Sequence, residues 1–400
     1  MANFAPGLWT PGTPRIPVTL YEITIGRFIM DFCYVCNSKI SKENESSEHV
    51  ILNSIGGRLK SKKLLCKKCN SEFGDDIDVE LSKQLNYIAN MLNIKRDRGE
   101  PQPFIVETKE GNVKYKYMPG GKPEIKDPTV ERKAMKDGKV QYYIEARNYD
   151  EANRILNGIA NKNPNIDVEK IIEKTEKRRE YIEDKLHFKF DIGGDKSFRS
   201  ICKSAVNFYI LKGGIRDYIF HLIPYIKEGV GETPLWYYYP DENIIPKDKK
   251  QVLHSLIVKG NKQDKILYSY IEFFNVYKFI VILNNNYEGR NIEFSYFYDI
   301  LNQEEINKNY RIDISKKSIK TTIRDKNIPI DKIKNQYNKI LKIISEQQNS
   351  KHIKEMVSQA IKNSLEKYPK GETITPEMIE ELNNELMKRI IPWVLHNNKD

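Results

Sequence analysis

Two cysteine pairs, Cys33-Tyr-Val-Cys36 and Cys66-Lys-Lys-Cys69, stand 29 residues apart and constrain the fold more tightly than any other feature of the chain. Four thiolates drawn onto one Zn²⁺ must converge on a tetrahedron, so residues 33 to 69 are expected to close into a small stapled unit. A bare pattern of this kind specifies a metal and says little about activity, because ribbons and knuckles use it only to fold where the hydrophobic core is too small. The fifth cysteine, Cys202, stands alone in an apolar setting and reads as a small core residue. Cysteines grouped for metal, with no disulfide framework, fit a reducing cytoplasmic compartment.

Between and beside the pairs lie Glu48-His49, the turn Gly56-Gly57 and Asn70, which directly follows the last cysteine. Imidazole is the side chain best matched to take a proton at neutral pH. A carboxylate and an amide oxygen suit Mg²⁺ or Mn²⁺, which keep waters and accept a phosphate oxygen, whereas thiolates suit zinc. Arg58, Lys60, Lys62, Lys63, Lys67 and Lys68 crowd the same stretch. Such a run is often only a solvated face, but beside hydrolytic groups it is expected to track phosphates.

Ser47 to Gly57 and Leu64 to Gly74 together resemble the HNH endonucleases, specifically their zinc-stapled branch, in which an acidic-His pair, a Gly-Gly turn and a Cys-x2-Cys-Asn end recur in this order. The likeness runs from Cys33 to Asp78. It implies a β-hairpin and helix, the ββα-metal fold, gripping one catalytic divalent metal. By position, Glu48 and Asn70 would be ligands of a catalytic Mg²⁺ or Mn²⁺ and His49 the general base. Cys33, Cys36, Cys66 and Cys69 would hold a structural Zn²⁺. Family members often carry an asparagine a few residues before the second pair that orients the histidine. Ser61 occupies that place here, so Ser61, Asn53 or a backbone carbonyl is expected to take the task. The resemblance further implies DNA as partner and a role in prokaryotic restriction or anti-phage defence.

The chain is read as α+β in four parts. Residues 1–29, with four prolines, form a loosely ordered leader; 30–100 form the zinc-stapled nuclease module; 101–310 form a mixed α+β target-recognition or regulatory domain; 311–400 form a basic helical region. Leu81, Leu85, Ile88 and Leu92 mark one helical face. Strands are expected over 104–107, 113–117 and 140–146, and helices over 150–160 and 168–185. Phe198, Ile201, Cys202, Ala205 and Tyr209 share another helical face. Runs at 252–258, 265–283 and 292–298 read as a β-meander whose aromatics are packing residues. Pro376 should open a last helix with Ile379, Leu382, Leu386 and Ile390 inward, and Pro392 should end or kink it.

With 39% hydrophobic residues, 24 tyrosines and a mean hydropathy of −0.62, the 400-residue chain reads as globular, not disordered. No apolar run approaches the roughly 20 residues of a membrane-spanning helix. A net charge of +11 favours a polyanionic partner. Homo-oligomerisation and a small-molecule or protein activator are compatible with the sequence and not specified by it. Two rivals stand: a nonenzymatic zinc-ribbon that binds nucleic acid or acts as a scaffold, and an RNA-targeting or ligand-activated nuclease.

Overall fold

A computed structural model describes residues 32–109, 113–135, 140–163, 165–175, 182, 186–188 and 192–397. The expected leader, 1–29, lies outside them. The chain enters through a tight reversal at the first cysteine pair, closed by hydrogen bonds from the Cys33 N–H to the Ser38 carbonyl (2.8 Å) and from the Asn37 N–H to the Cys33 carbonyl (2.9 Å). Strand β1, Glu48–His49, pairs antiparallel with β2, Lys60–Ser61, placing Glu48 opposite Ser61 and His49 opposite Lys60. The ladder stops after two residues, and the chain bends into a 3-10 turn at Asn53–Ile55. Gly56 then takes φ +89°, and a Cβ on Gly57 would stand 1.8 Å from the Ile51 carbonyl oxygen, so both glycines are required by the turn.

Helix α1, Lys67–Phe73, starts directly after Cys66 and continues through a π turn at Gly74–Asp78 into α2, Val79–Met91. All four apolar residues read as one face, Leu81, Leu85, Ile88 and Leu92, are buried.

The next stretch builds β3 (Phe104–Thr108), β4 (Lys114–Met118), β5 (Lys122–Ile125), β6 (Thr129–Ala134) and β7 (Val140–Glu145), then α3 (Tyr149–Ala160), α4 (Val168–Glu173) and β8 (Leu186–His187). One sheet has the order β5-β4-β3-β8, and β6 and β7 form a separate hairpin. The helix expected over 168–185 is only six residues long in the described part. None of its residues is buried, so no buried face rewards its extension. Of the remainder, 176–181 and 183–185 lie outside the described residues.

Helix α5, Asp195–Leu211, is buried almost all round, from Ser197 to Ile210. It is followed by α6 (Ile223–Glu228), β9 (Leu235–Tyr237), β10 (Leu253–Asn261), β11 (Ile266–Phe273), β12 (Tyr277–Asn284), β13 (Ile292–Asp299) and β14 (Glu304–Glu305). Their sheet has the order β14-β13-β10-β11-β12-β9. This corrects the meander: β13 returns past β12 to pair with β10, a Greek-key order, because the short β9 already covers the free edge of β12. Both faces of the sheet are buried. Leu256, Val258, Ile271 and Phe279 face the cluster that contains α5, while Leu253, Ile257, Tyr268, Tyr270 and Ile280 face Ile312, Ile314 and Ile319. Continuous apolar strands are the sequence signature of such two-sided cover.

The chain ends in α7 (Lys316–Asp325), α8 (Ile330–Leu365) and α9 (Pro376–Asn397). Helix α9 runs through Pro392 to Asn397, so the proline does not end it, and the Trp393 ring lies 6.4 Å from that of His352 on α8. Met378, and not Ile379, is the buried residue at its start. The main hydrophobic cluster takes in residues from Cys33 to Ile94 and from Phe198 to Ile344, so the core is continuous across residue 100.

Candidate functional site

The sulfurs of Cys33, Cys36, Cys66 and Cys69 all lie within 4.8 Å of one another, and those of Cys36 and Cys66 are 3.7 Å apart. Four ligands at about 2.3 Å in a tetrahedron require edges of roughly 3.8 Å, so the donor set fits a structural zinc. Cys36 is the one exposed member. Burial opposes ionisation of its thiol, yet hydrogen bonds from Ser38 and the neighbouring sulfurs bring it down to about 6. Burial pushes the thiols of Cys33 and Cys69 up, a cost that a bound cation offsets.

His49 sits on β1 with its ring partly open to solvent. Its Nε2 lies 3.1 Å from Oδ2 of Asp97, a residue the sequence reading did not single out. Asp97 also pairs with Arg58 and Lys60, and its backbone N–H donates to Asn53 Oδ1 at 2.7 Å. Lys60 first, then His49, holds the Asp97 carboxyl well below the usual carboxylate range. An ionised Asp97 accepts a proton from Nε2, so the neutral ring carries its lone pair on Nδ1. Burial lowers the pKa of His49, opposed by Asp97, which keeps the imidazole neutral at ordinary pH. Neither expected orienting residue bonds His49 directly: Asn53 acts on Asp97, and Ser61 Oγ accepts from the Lys63 N–H at 3.1 Å.

Glu48 points away from this solvent-facing set and is only 3% exposed. Its Oε1 accepts from Lys203 Nζ at 2.6 Å and from Asn207 Nδ2 at 2.7 Å, both on α5. Among the described residues no hydrogen bond reaches Oε2. Lys203 also donates to Asp78 Oδ2 at 2.6 Å, and Ser200 Oγ donates to Asp78 Oδ1 at 2.7 Å. Burial works against the Lys203 charge, but the Asp78 and Glu48 carboxylates outweigh it and raise its pKa. Burial likewise pushes Glu48 above the ordinary carboxylate range, with Lys203 opposing.

Asn70 occupies the second half of the first turn of α1 and donates from Nδ2 to Ser46 Oγ at 2.7 Å, which leaves Oδ1 without a hydrogen-bond partner among the described residues. A carboxylate oxygen and an amide oxygen are the donor types a hard divalent cation takes, and here they are held by separate partners, Lys203 and Asn207 for Glu48 and Ser46 for Asn70. Of the basic residues, Arg58 and Lys60 are drawn into the Asp97 cluster, Lys62 pairs with Glu45 at 2.6 Å and Lys68 approaches Glu72 at 3.9 Å. Lys63 and Lys67 are exposed and have no ion pair among the described residues.

Sequence reasoning missed Asp97, Lys203, Asn207 and Asp78. Lys203 and Asn207 did carry a signal, since two polar residues four apart interrupt the apolar stretch of α5. Asp97 lies in a charged run, Lys95-Arg96-Asp97-Arg98, that looks like ordinary surface.

No curated protein and no solved structure matches the chain. No helix among the described residues is long and apolar enough to cross a membrane. Residues 33–86 match the HNH endonuclease family model, a span that takes in the four cysteines, Glu48, His49, Asn70 and Asp78 and stops short of Asp97 and α5. Endonucleases of this family bind nucleic acid and use divalent metals. Residues 33–86 of this chain are thus similar to the HNH endonucleases, and the matched span carries a cysteine cluster of zinc-binding type.

Proposed function

We propose that the chain is a metal-dependent DNA endonuclease in which His49 is the general base and Glu48 and Asn70 hold a catalytic Mg²⁺ or Mn²⁺. The observation that carries this reading is the His49–Asp97 pair at 3.1 Å, inside a span that matches nucleases. Asp97 holds Nε2–H and thereby fixes both the tautomer and the ring plane. Nδ1 then takes a proton from the attacking water, and the imidazolium that forms lies against a carboxylate. The bound cation would supply positive charge for the leaving oxygen. Glu48 Oε2 and Asn70 Oδ1 are the side-chain oxygens left without partners for it. Lys63 and Lys67 are the cations available to phosphates, and Arg58, Lys60, Lys62 and Lys68 join them by exchanging their present carboxylate partners for phosphate.

In this reading the region 101–310 and the helical region beyond it select the target or the activating signal, and the biological setting is restriction or anti-phage defence in a prokaryotic cytoplasm. Support for that setting comes from the family resemblance alone. Plasmid cleavage with Mg²⁺ or Mn²⁺ tests the enzyme: wild type should nick or linearise DNA, and His49→Ala should lose at least 100-fold in rate on the scale of a missing general base, about 10²–10⁴. Equal cleavage by both, or none by either, favours a nonenzymatic zinc-ribbon, and preferential degradation of RNA in a substrate panel moves the target class.

A further inference from the structure

Helix α5 lies outside the matched span, yet it reaches the acidic residue beside His49. Lys203, 155 positions downstream of Glu48, is fully buried, and its ammonium bridges Glu48 Oε1 and Asp78 Oδ2 at 2.6 Å each. The Asn207 amide is fixed from its other end, because the Tyr34 hydroxyl donates to Asn207 Oδ1 at 2.7 Å and so turns Nδ2 toward Glu48. Tyr34 itself stands between the zinc-type ligands Cys33 and Cys36. The knuckle, α5 and the Glu48 carboxylate therefore form one chain of hydrogen bonds.

Resting on the nuclease reading, we infer that Lys203 and Asn207 are positioning residues: they saturate Oε1 of Glu48 and thereby leave Oε2 as the oxygen offered to the divalent cation. A buried ion pair is a poor device for stability alone, since apolar replacements of the same volume are often neutral or stabilising. It is an effective device for orientation. A carboxylate gripped at one oxygen by two donors cannot rotate, and support of this kind around a metal ligand typically changes affinity by about 10–100-fold. The catalytic module is thus completed by a helix from the following region, not by residues 33–86 alone.

The test uses the full-length chain, Mn²⁺ as probe and electron paramagnetic resonance or calorimetry as readout, without DNA. Lys203→Met and Asn207→Ala should each weaken Mn²⁺ binding by about 10–100-fold while the chain keeps its zinc, and cleavage should recover at high Mn²⁺. His49→Ala should bind Mn²⁺ as wild type does. If Lys203→Met does not fold, Asn207→Ala carries the test, because it retains both Lys203 ion pairs. Mn²⁺ affinity within twofold of wild type in the folded variants overturns the positioning role and leaves the nuclease reading standing. A wild-type chain that neither binds Mn²⁺ nor cleaves DNA overturns both.

Discussion

Replacing Asp97 with asparagine removes one charge and keeps the shape of the side chain. The backbone stays anchored, because the residue 97 N–H still donates to Asn53 Oδ1 at 2.7 Å. What changes is the partner of His49 Nε2. A hydrogen bond to a charged group contributes about 1.5–3 kcal/mol, and since Asp97 and His49 are 22% and 19% exposed, screening places this one in the lower half of that range. About 1.5–2 kcal/mol of lost orientation corresponds to a 10- to 30-fold lower kcat. An amide can also turn its N–H toward Nε2, which would put the ring proton on Nδ1 and deepen the loss. Arg58 and Lys60, released from Asp97, become available to phosphates, so KM should stay level or fall. Single-turnover cleavage of a labelled duplex at fixed pH and saturating metal separates the two constants. Asp97→Asn should add nothing further in a His49→Ala background, since the pair acts as one unit. A kcat within twofold of wild type, with His49→Ala inactive, would refute the assigned role of Asp97.

Cys69→Ser should remove the zinc measured by elemental analysis, about one per chain in wild type, and lower the melting temperature, because binding free energy at such a site is folding free energy; full metal content in that variant would exclude the four-cysteine site. Stability should also fall on acidification through His254. This buried ring donates from Nε2 to the Ile55 carbonyl at 2.8 Å and accepts the Phe274 N–H on Nδ1 at 3.4 Å, so its neutral form is saturated and a second proton has no acceptor. Burial brings it from 6.5 down to about 4. The unfolded chain therefore binds the extra proton first, and stability contributed above pH 6.5 is lost as pH falls toward 4, by at most about 3 kcal/mol. Chemical denaturation across that window should show a flatter pH dependence for His254→Gln than for wild type; parallel curves would rule out the buried ring as the source.

Local chemistry was legible where a residue type leaves few alternatives. The C-x2-C pairs converge as their spacing requires, and Gly56 and Gly57 stand at a turn where a side chain has no room. Pro376 opens α9, as a proline at the first helical position should. The register of β13 was not legible. An apolar strand carries no mark of which edge it will join, and whether β12 was free depended on β9, more than 50 residues upstream of β13. The full reach of α5 was hidden for a similar reason: one face was visible, but its remaining faces are buried by elements distant in sequence.

The linear pattern of cysteine, glutamate, histidine and asparagine determined the kind of chemistry available to this protein, because coordination and proton transfer depend on residue type and short spacing. Only the tertiary structure decided the surroundings of each group: Asp97 at His49, Lys203 and Asn207 at Glu48, His254 latching the loop at Ile55. Those partners lie from 48 to 199 positions away in the chain, and what brings them together is burial of a shared core, which is non-directional and leaves no local signature in the sequence.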